Sequence, residues 1–143
     1  MAASAATHAF GTVLKRGDGG SPEAFTTLSE GKTVNGPNMK KGSVDVTHNE
    51  SPNNAMEFLP NLLDGGEISW DGNFIPSSTT HTNLLADIAT MVNRNYRVVY
   101  PNATTSRFDF AGHPTAVNPT ASHVDAMRLS ATFKVSGKPV FTV

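Results

Sequence analysis

Apolar and polar positions alternate most regularly at two places in the chain. From Asp125 to Ser136, Met127, Leu129, Ala131, Phe133 and Val135 point one way, while Arg128, Ser130, Thr132, Lys134 and Ser136 point the other. From Glu67 to Phe74, Ile68, Trp70 and Phe74 share a face opposed by Glu67, Ser69, Asp71 and Asn73. A period of two predicts half-buried strands. A strand as long as Asp125–Ser136, with one polar face, belongs in an antiparallel sheet whose second, polar face meets water. Asp71-Gly72 has the composition of a two-residue hairpin turn. The alternation persists across it, however, so one continuous strand is expected, ended soon after by Pro76.

Shorter strands are predicted at Gly11–Lys15 and Ala24–Leu28, with the glycine-rich turn Arg16–Pro22 between them. Thr33–Val46 holds two more, split at Gly36-Pro37 and Lys40-Lys41-Gly42, the second alternating over Ser43–Thr47. Tyr96–Pro101 and Thr105–Ala111 read as strands joined through Asn102-Ala103. One helix is expected, about His81 to Asn93. Leu84, Leu85, Ile88, Met91 and Val92 form its apolar stripe, read as core packing, and Thr79 or Thr80 can cap its start. From His48 to Gly66 no strand pattern appears, a long stretch for a compact domain. Its large apolar residues Met56, Phe58, Leu59, Leu62 and Leu63 leave two readings open: a short helix against the domain's own core, or a loop that docks on another subunit. The segment to His8 is small and polar, and residues 1–10 are read as an arm that needs a partner to order it.

Composition narrows the class. The 143 residues suffice for one domain with a real core, here residues 11–143. Charged residues make up 16% and Gly, Pro, Asn, Ser and Thr are abundant, which favours a β-dominated fold over a disordered chain or a helical bundle. A formal net charge of −1 provides no basic footprint for tight nucleic-acid binding. Without cysteine there is neither a disulfide nor a thiolate metal site. The first residues lack the basic and apolar regions of a signal peptide, and no apolar run approaches a membrane span, so a soluble cytoplasmic product is expected.

Little in the sequence points to catalysis. His8, His48, His81, His113 and His123 are scattered singly, without the spacing of a metal site, and read as solvated. No Gly-x-Ser-x-Gly elbow accompanies the serines. Asp18 lacks the later acidic ligands of a calcium loop. Arg16-Gly17-Asp18 spells an adhesion tripeptide, and Asn49-Glu50-Ser51 and Asn102-Ala103-Thr104 match glycosylation acceptors; all three are read as chance. The expectation is a non-enzyme with no catalytic, cofactor or metal residues.

The order of elements, together with four segments, resembles the major tail (tail tube) proteins of long-tailed, siphovirus-type phages. The segments are Lys40–Pro52, Met56–Trp70, Arg97–Pro101 and Leu129–Pro139, the last ending Val-Ser-Gly-Lys-Pro. They span nearly the whole chain, Gly11 to Pro139. The resemblance implies a β-sandwich with a flanking helix, assembled as stacked hexameric rings into the virion's tail tube, a conduit for DNA. Four strands per subunit would join a ring-wide inner barrel, to which Ser43–Thr47, Glu67–Phe74 and Asp125–Ser136 are expected to contribute.

Glu67, Ser69, Asp71, Asn73, Arg128, Ser130, Thr132 and Lys134 are the candidates for a lumen wall that must not grip phosphate. Among them Arg128 and Lys134 are expected to pair with carboxylates across strands. Met56, Phe58, Leu59 and Leu62 are the candidates for contacts between rings. Further implied partners are tape measure, tail-tip and terminator proteins, with DNA passing through unbound and no membrane anchor. Two alternatives remain: a ring-forming tube of a secretion or tailocin-like system, and a monomeric β-sandwich binding module, for which one Trp and two Tyr supply few exposed aromatics.

Overall fold

A computed structural model describes residues 2–143. The described residues form nine strands and one α-helix: β1 (Val13–Gly17), β2 (Phe25–Thr27), β3 (Gly31–Asn35), β4 (Lys40–Asp45), β5 (Phe58–Asp64), β6 (Glu67–Asn73), α1 (Thr79–Asp87), β7 (Arg94–Val99), β8 (Arg107–Thr120) and β9 (Arg128–Thr142). Seven strands make one antiparallel sheet in the order β2-β1-β7-β8-β9-β6-β3, and β4 and β5 pair only with each other. The large sheet folds over so that β1 and β3 approach across its concave side.

Alternation explains the core. Ile68 and Trp70 from β6 and Leu129, Ala131, Phe133 and Val135 from β9 are buried, as their period-two pattern predicts. Leu14, Tyr96, Val98 and Phe110 meet them from the other half of the sheet, and Leu84 of α1 closes the space. Tyr96 stacks on Phe110 with ring centroids 5.6 Å apart and packs at 4.8 Å on Phe133. Burying each such side chain contributes about 1.5–3 kcal/mol. The strand Glu67–Asn73 runs straight through Asp71-Gly72, as expected.

The helix differs from the sequence reading. It stops at Asp87, and its buried residues are His81, Leu84 and Asp87, so of the expected apolar stripe only Leu84 packs in the core. Leu85, Ile88, Met91 and Val92 are exposed. Asp87 is why the helix ends there. Its carboxylate accepts two hydrogen bonds from Arg16, at 2.5 and 2.7 Å, and one from the Tyr96 hydroxyl at 3.2 Å. Arg94 Nε lies 2.9 Å away as a further ion partner. Thr90 then folds its amide and hydroxyl back onto the Asp87 carbonyl. Burial and the adjacent carboxylate push the Tyr96 phenol well above its ordinary range. The N-cap is Ser78, not a threonine, because Thr80 turns to bond Ser29. His81 is fully buried, against the expectation of solvated histidines. Its Nε2 lies 2.8 Å from the Ser29 carbonyl and its Nδ1 accepts the Ile75 N–H at 3.1 Å, so it joins three segments.

The long strands also run further than the sequence suggested. β8 continues past Ala111 to Thr120, and Val-Ser-Gly-Lys-Pro lies inside β9 rather than closing it. The register shifts between Ser136 and Val140, a bulge in which Gly137 takes φ +81° at no steric cost.

Candidate functional site: a polar ladder and an apolar arm

The polar face opposite the core is built by cross-strand register. Glu67 pairs with Lys134, Ser69 with Thr132, Asp71 with Ser130 and Asn73 with Arg128. All eight sequence-predicted wall residues therefore occupy one two-strand ladder. The rows extend outwards on both sides. Asn35 and Thr33 of β3 lie beside Ser69 and Asp71. On the far side His113, Ala116, Asn118 and Thr120 of β8 lie beside Lys134, Thr132, Ser130 and Arg128. Apart from Ala116, every residue named in these four strands is polar. Sequence reasoning missed the β8 contribution, ending that strand at Ala111; Pro114 and Pro119, which lack an N–H, leave residues 112–120 without an ordinary strand signature.

Two unpaired edges bound this face. β3 pairs only with β6, leaving its outer edge open. β7 covers β8 only from Arg107 to Gly112, so residues 113–120 of β8 have β9 alone as a partner.

The two cations of the ladder do pair with carboxylates, but Lys134 not with Glu67 opposite it, and Arg128 not across strands. Lys134 Nζ donates to Asp64 Oδ1 at 2.9 Å. Arg128 Nε lies 3.6 Å from Asp125 Oδ2, just ahead of its own strand. Asp64 also accepts the Gly66 N–H at 2.9 Å. That bond first, and Lys134 second, hold its carboxyl below the usual range.

The apolar stretch expected to be a strandless loop is a two-stranded arm. Lys40 pairs with Asp64, Lys41 with Leu63, Ser43 with Pro60, Val44 with Leu59 and Asp45 with Phe58, around a bulge after Lys41. Lys40-Lys41-Gly42 is thus the start of a strand, and the only helical turn is the short one at Pro52–Asn54. Packing against the subunit's own core does not occur: Met56 is 64% exposed, Phe58 53%, Leu59 55% and Leu62 87%. The strand holding Ser43 joins this arm, so of the three strands expected to share one wall only β6 and β9 are neighbours. The arm's root is tight. Gly66 takes φ +75° with Asn38 O only 1.9 Å from where a Cβ would stand, so no larger residue fits there. At the tip, Ser51 Oγ bonds Glu57 at 2.7 Å and lies 3.2 Å from His48 Nδ1, closing the loop on itself.

The other candidate motifs are absorbed into structure. Arg16 and Gly17 are the last residues of β1, with Arg16 bonded to Asp87, and Asp18 Oδ1 accepts the N–H groups of Gly20 and Ala24 in the turn that follows, so the expected turn begins at Asp18 rather than Arg16. Among the described residues no group of His, Asp and Glu is arranged to hold a metal ion, and no helix is long and apolar enough to cross a membrane.

A curved antiparallel sheet with one polar face, open edges and a projecting apolar arm defines a β-structured subunit with, among the described residues, no catalytic cluster of side chains on the polar face. The chain belongs to the lambda phage tail tube protein family, whose model matches residues 12–142. No curated protein sequence matches it. Solved structures share its fold at low identity. One comes from the tail of an empty gene transfer agent particle with C6 symmetry (TM-score 0.74, 18% identity, 96% of this chain and 100% of that one). Another is from an extracellular contractile injection system, a sheath/tube terminator in the extended state (TM-score 0.75, 10% identity, 99% and 100%). A third is from the SPP1 tail tube (TM-score 0.67, 7% identity, 92% and 76%). The family is a structural one of the virion tail, and contractile injection tubes are its relatives in fold.

Proposed function

We propose that this subunit assembles with copies of itself into hexameric rings that stack as a phage tail tube, the conduit for DNA from capsid to host. The polar ladder lines the lumen. The observation that carries this reading is the pair of open edges flanking one polar face. Every pairing from β8 through β9 and β6 to β3 is antiparallel. Four such strands leave the two outer edges running in opposite directions. The β3 edge of one copy therefore meets the residue 113–120 edge of the next as another antiparallel pair, and the ring closes with no edge left over. Pro114 and Pro119 suit a strand whose edge is open in the free subunit, since each removes a donor and limits random pairing.

The sixfold symmetry comes from the resemblance and is that of the gene transfer agent tail. Strands ~4.8 Å apart then give a circumference of at least about 115 Å, and a pore wider than a duplex after side chains are allowed for. In the same reading the arm, through Met56, Phe58, Leu59 and Leu62, and the N-terminal residues 1–10 join successive rings. Terminator, tail-tip and tape measure proteins are the further partners, and the role is mechanical rather than enzymatic.

Cysteine cross-linking tests the edge pairing, because the chain has no native cysteine. Single cysteines scanned over 32–35 are combined with single cysteines over 115–118, and assembled protein is oxidised. Covalent ladders that end at six subunits are expected for the pairs in register. Assembled tubes that yield no intersubunit cross-link at any pair would remove this edge-to-edge closure.

A further inference from the structure

Each cation on the polar ladder is held by a carboxylate that lies outside it. Lys134 faces Glu67 across the strands, yet its ammonium bonds Asp64, at the root of the arm. Arg128 faces Asn73, yet its nearest anion is Asp125, ahead of β9. Asp64 is fixed in place by the Gly66 N–H, and Asp125 Oδ1 accepts the Ala126 N–H at 2.8 Å, so both carboxylates are oriented by backbone. Glu67 and Asp71, on the ladder itself, make no ion pair among the described residues.

We propose that Asp64 and Asp125 are masking carboxylates, which keep Lys134 and Arg128 from engaging the phosphates of DNA in the lumen and leave Glu67 and Asp71 as the ladder's uncompensated charges. The inference rests on the lumen reading above. Both pairs are substantially exposed, and such pairs contribute little to stability. Their effect is on charge. A phosphate beyond contact distance meets a compact ion pair rather than a free cation, and its field is further screened over about 8 Å at physiological salt. Unmasked, every subunit would offer the phosphate backbone a cation, and each phosphate neutralised steepens the salt dependence of binding by about 0.9. A wall repeated around and along the tube would then retain its cargo.

Two variants, Asp64→Asn and Asp125→Asn, test this in assembled tubes incubated with a short linear duplex or a closed circular plasmid, which cannot thread a lumen. Parent tubes are expected to retain neither. The variants are expected to retain the linear duplex in a salt-dependent way, and Lys134→Gln or Arg128→Gln in the matching background to restore release. Variant tubes that bind duplex no better than the parent overturn the masking. Equal retention of linear and circular DNA places the ladder outside, which sinks the lumen reading instead.

Asp64 sits at the arm's root, so a second measurement is made on the soluble full-length subunit and needs no assembly. Lys134 acetylation, followed by mass spectrometry, is expected to speed up roughly two- to fivefold in Asp64→Asn, the span of an exposed ion pair. An unchanged rate means Asp64 does not mask Lys134.

Discussion

The large sheet and the arm are built from the same kinds of residue and meet opposite fates. In β6 and β9 every second residue is buried as far as Val135, with Ile68, Trp70, Leu129 and Phe133 essentially inaccessible. In β4 and β5 every residue is exposed, although Val44, Phe58, Leu59, Leu62 and Leu63 are as apolar as those of the core. A two-stranded ribbon alone is marginal in water, and a row of large exposed apolar groups marks a contact surface. The sheet thus carries the stability of the subunit, whereas in the proposed assembly the arm supplies contacts to a neighbouring ring.

That division can be broken most forcefully at the core. Phe133→Ala is expected to cost about 3–5 kcal/mol, enough to unfold much of a domain whose total stability is about 5–15 kcal/mol. Denaturant titration followed by circular dichroism gives the value, and a loss below about 1 kcal/mol would show that the core is not organised around Phe133. Asp87→Ala comes next. It strands Arg16 and Arg94 beside a buried gap, and removing one partner of a buried pair costs about 3–5 kcal/mol; the helix is expected to detach, seen as faster hydrogen exchange over Thr79–Asp87.

The arm should behave in the opposite way. Phe58→Ser and Leu62→Ser are expected to move unfolding stability by no more than about 0.5 kcal/mol while abolishing or greatly slowing polymerisation, read by light scattering. Loss of stability without loss of assembly would erase the contrast between the two regions.

The smallest expected effect is electrostatic, at the junction. The Asp64 carboxyl titrates below its ordinary value because its charged form accepts the Gly66 N–H and faces Lys134. Its contribution is therefore complete above the ordinary value of about 3.9 and is lost as the pH falls through the lower folded value. The Gly66 amide resonance should titrate with a midpoint below that ordinary value and stay flat in Asp64→Asn. A midpoint at or above it would contradict the bond.

What the sequence reveals follows the same division. Alternation is a record of one-sided burial, so β6, β9 and the membership of the ladder could be read from spacing alone. β5 has no buried side, and with Pro60 and the doublet Leu62-Leu63 it shows no period, although its strand is real. The helix was overextended because Ile88, Met91 and Val92 continue a helical stripe, while the bidentate contact that anchors its end, from Arg16 to Asp87, comes from a strand far away in sequence. His81 carried no local signal of burial, since its partners Ser29 and Ile75 come from separate loops. The second half of β8 was hidden by two prolines that the open edge tolerates.

The most direct test of the account is electron cryo-microscopy of the purified full-length protein, concentrated and aged until it polymerises. The account predicts hollow tubes of stacked sixfold rings, with Glu67, Ser69, Asp71, Asn73, Arg128, Ser130, Thr132 and Lys134 facing the lumen and the arm crossing to the next ring. Tubes in which that ladder faces outwards, or a wall closed through strands other than β3 and β8, would contradict it.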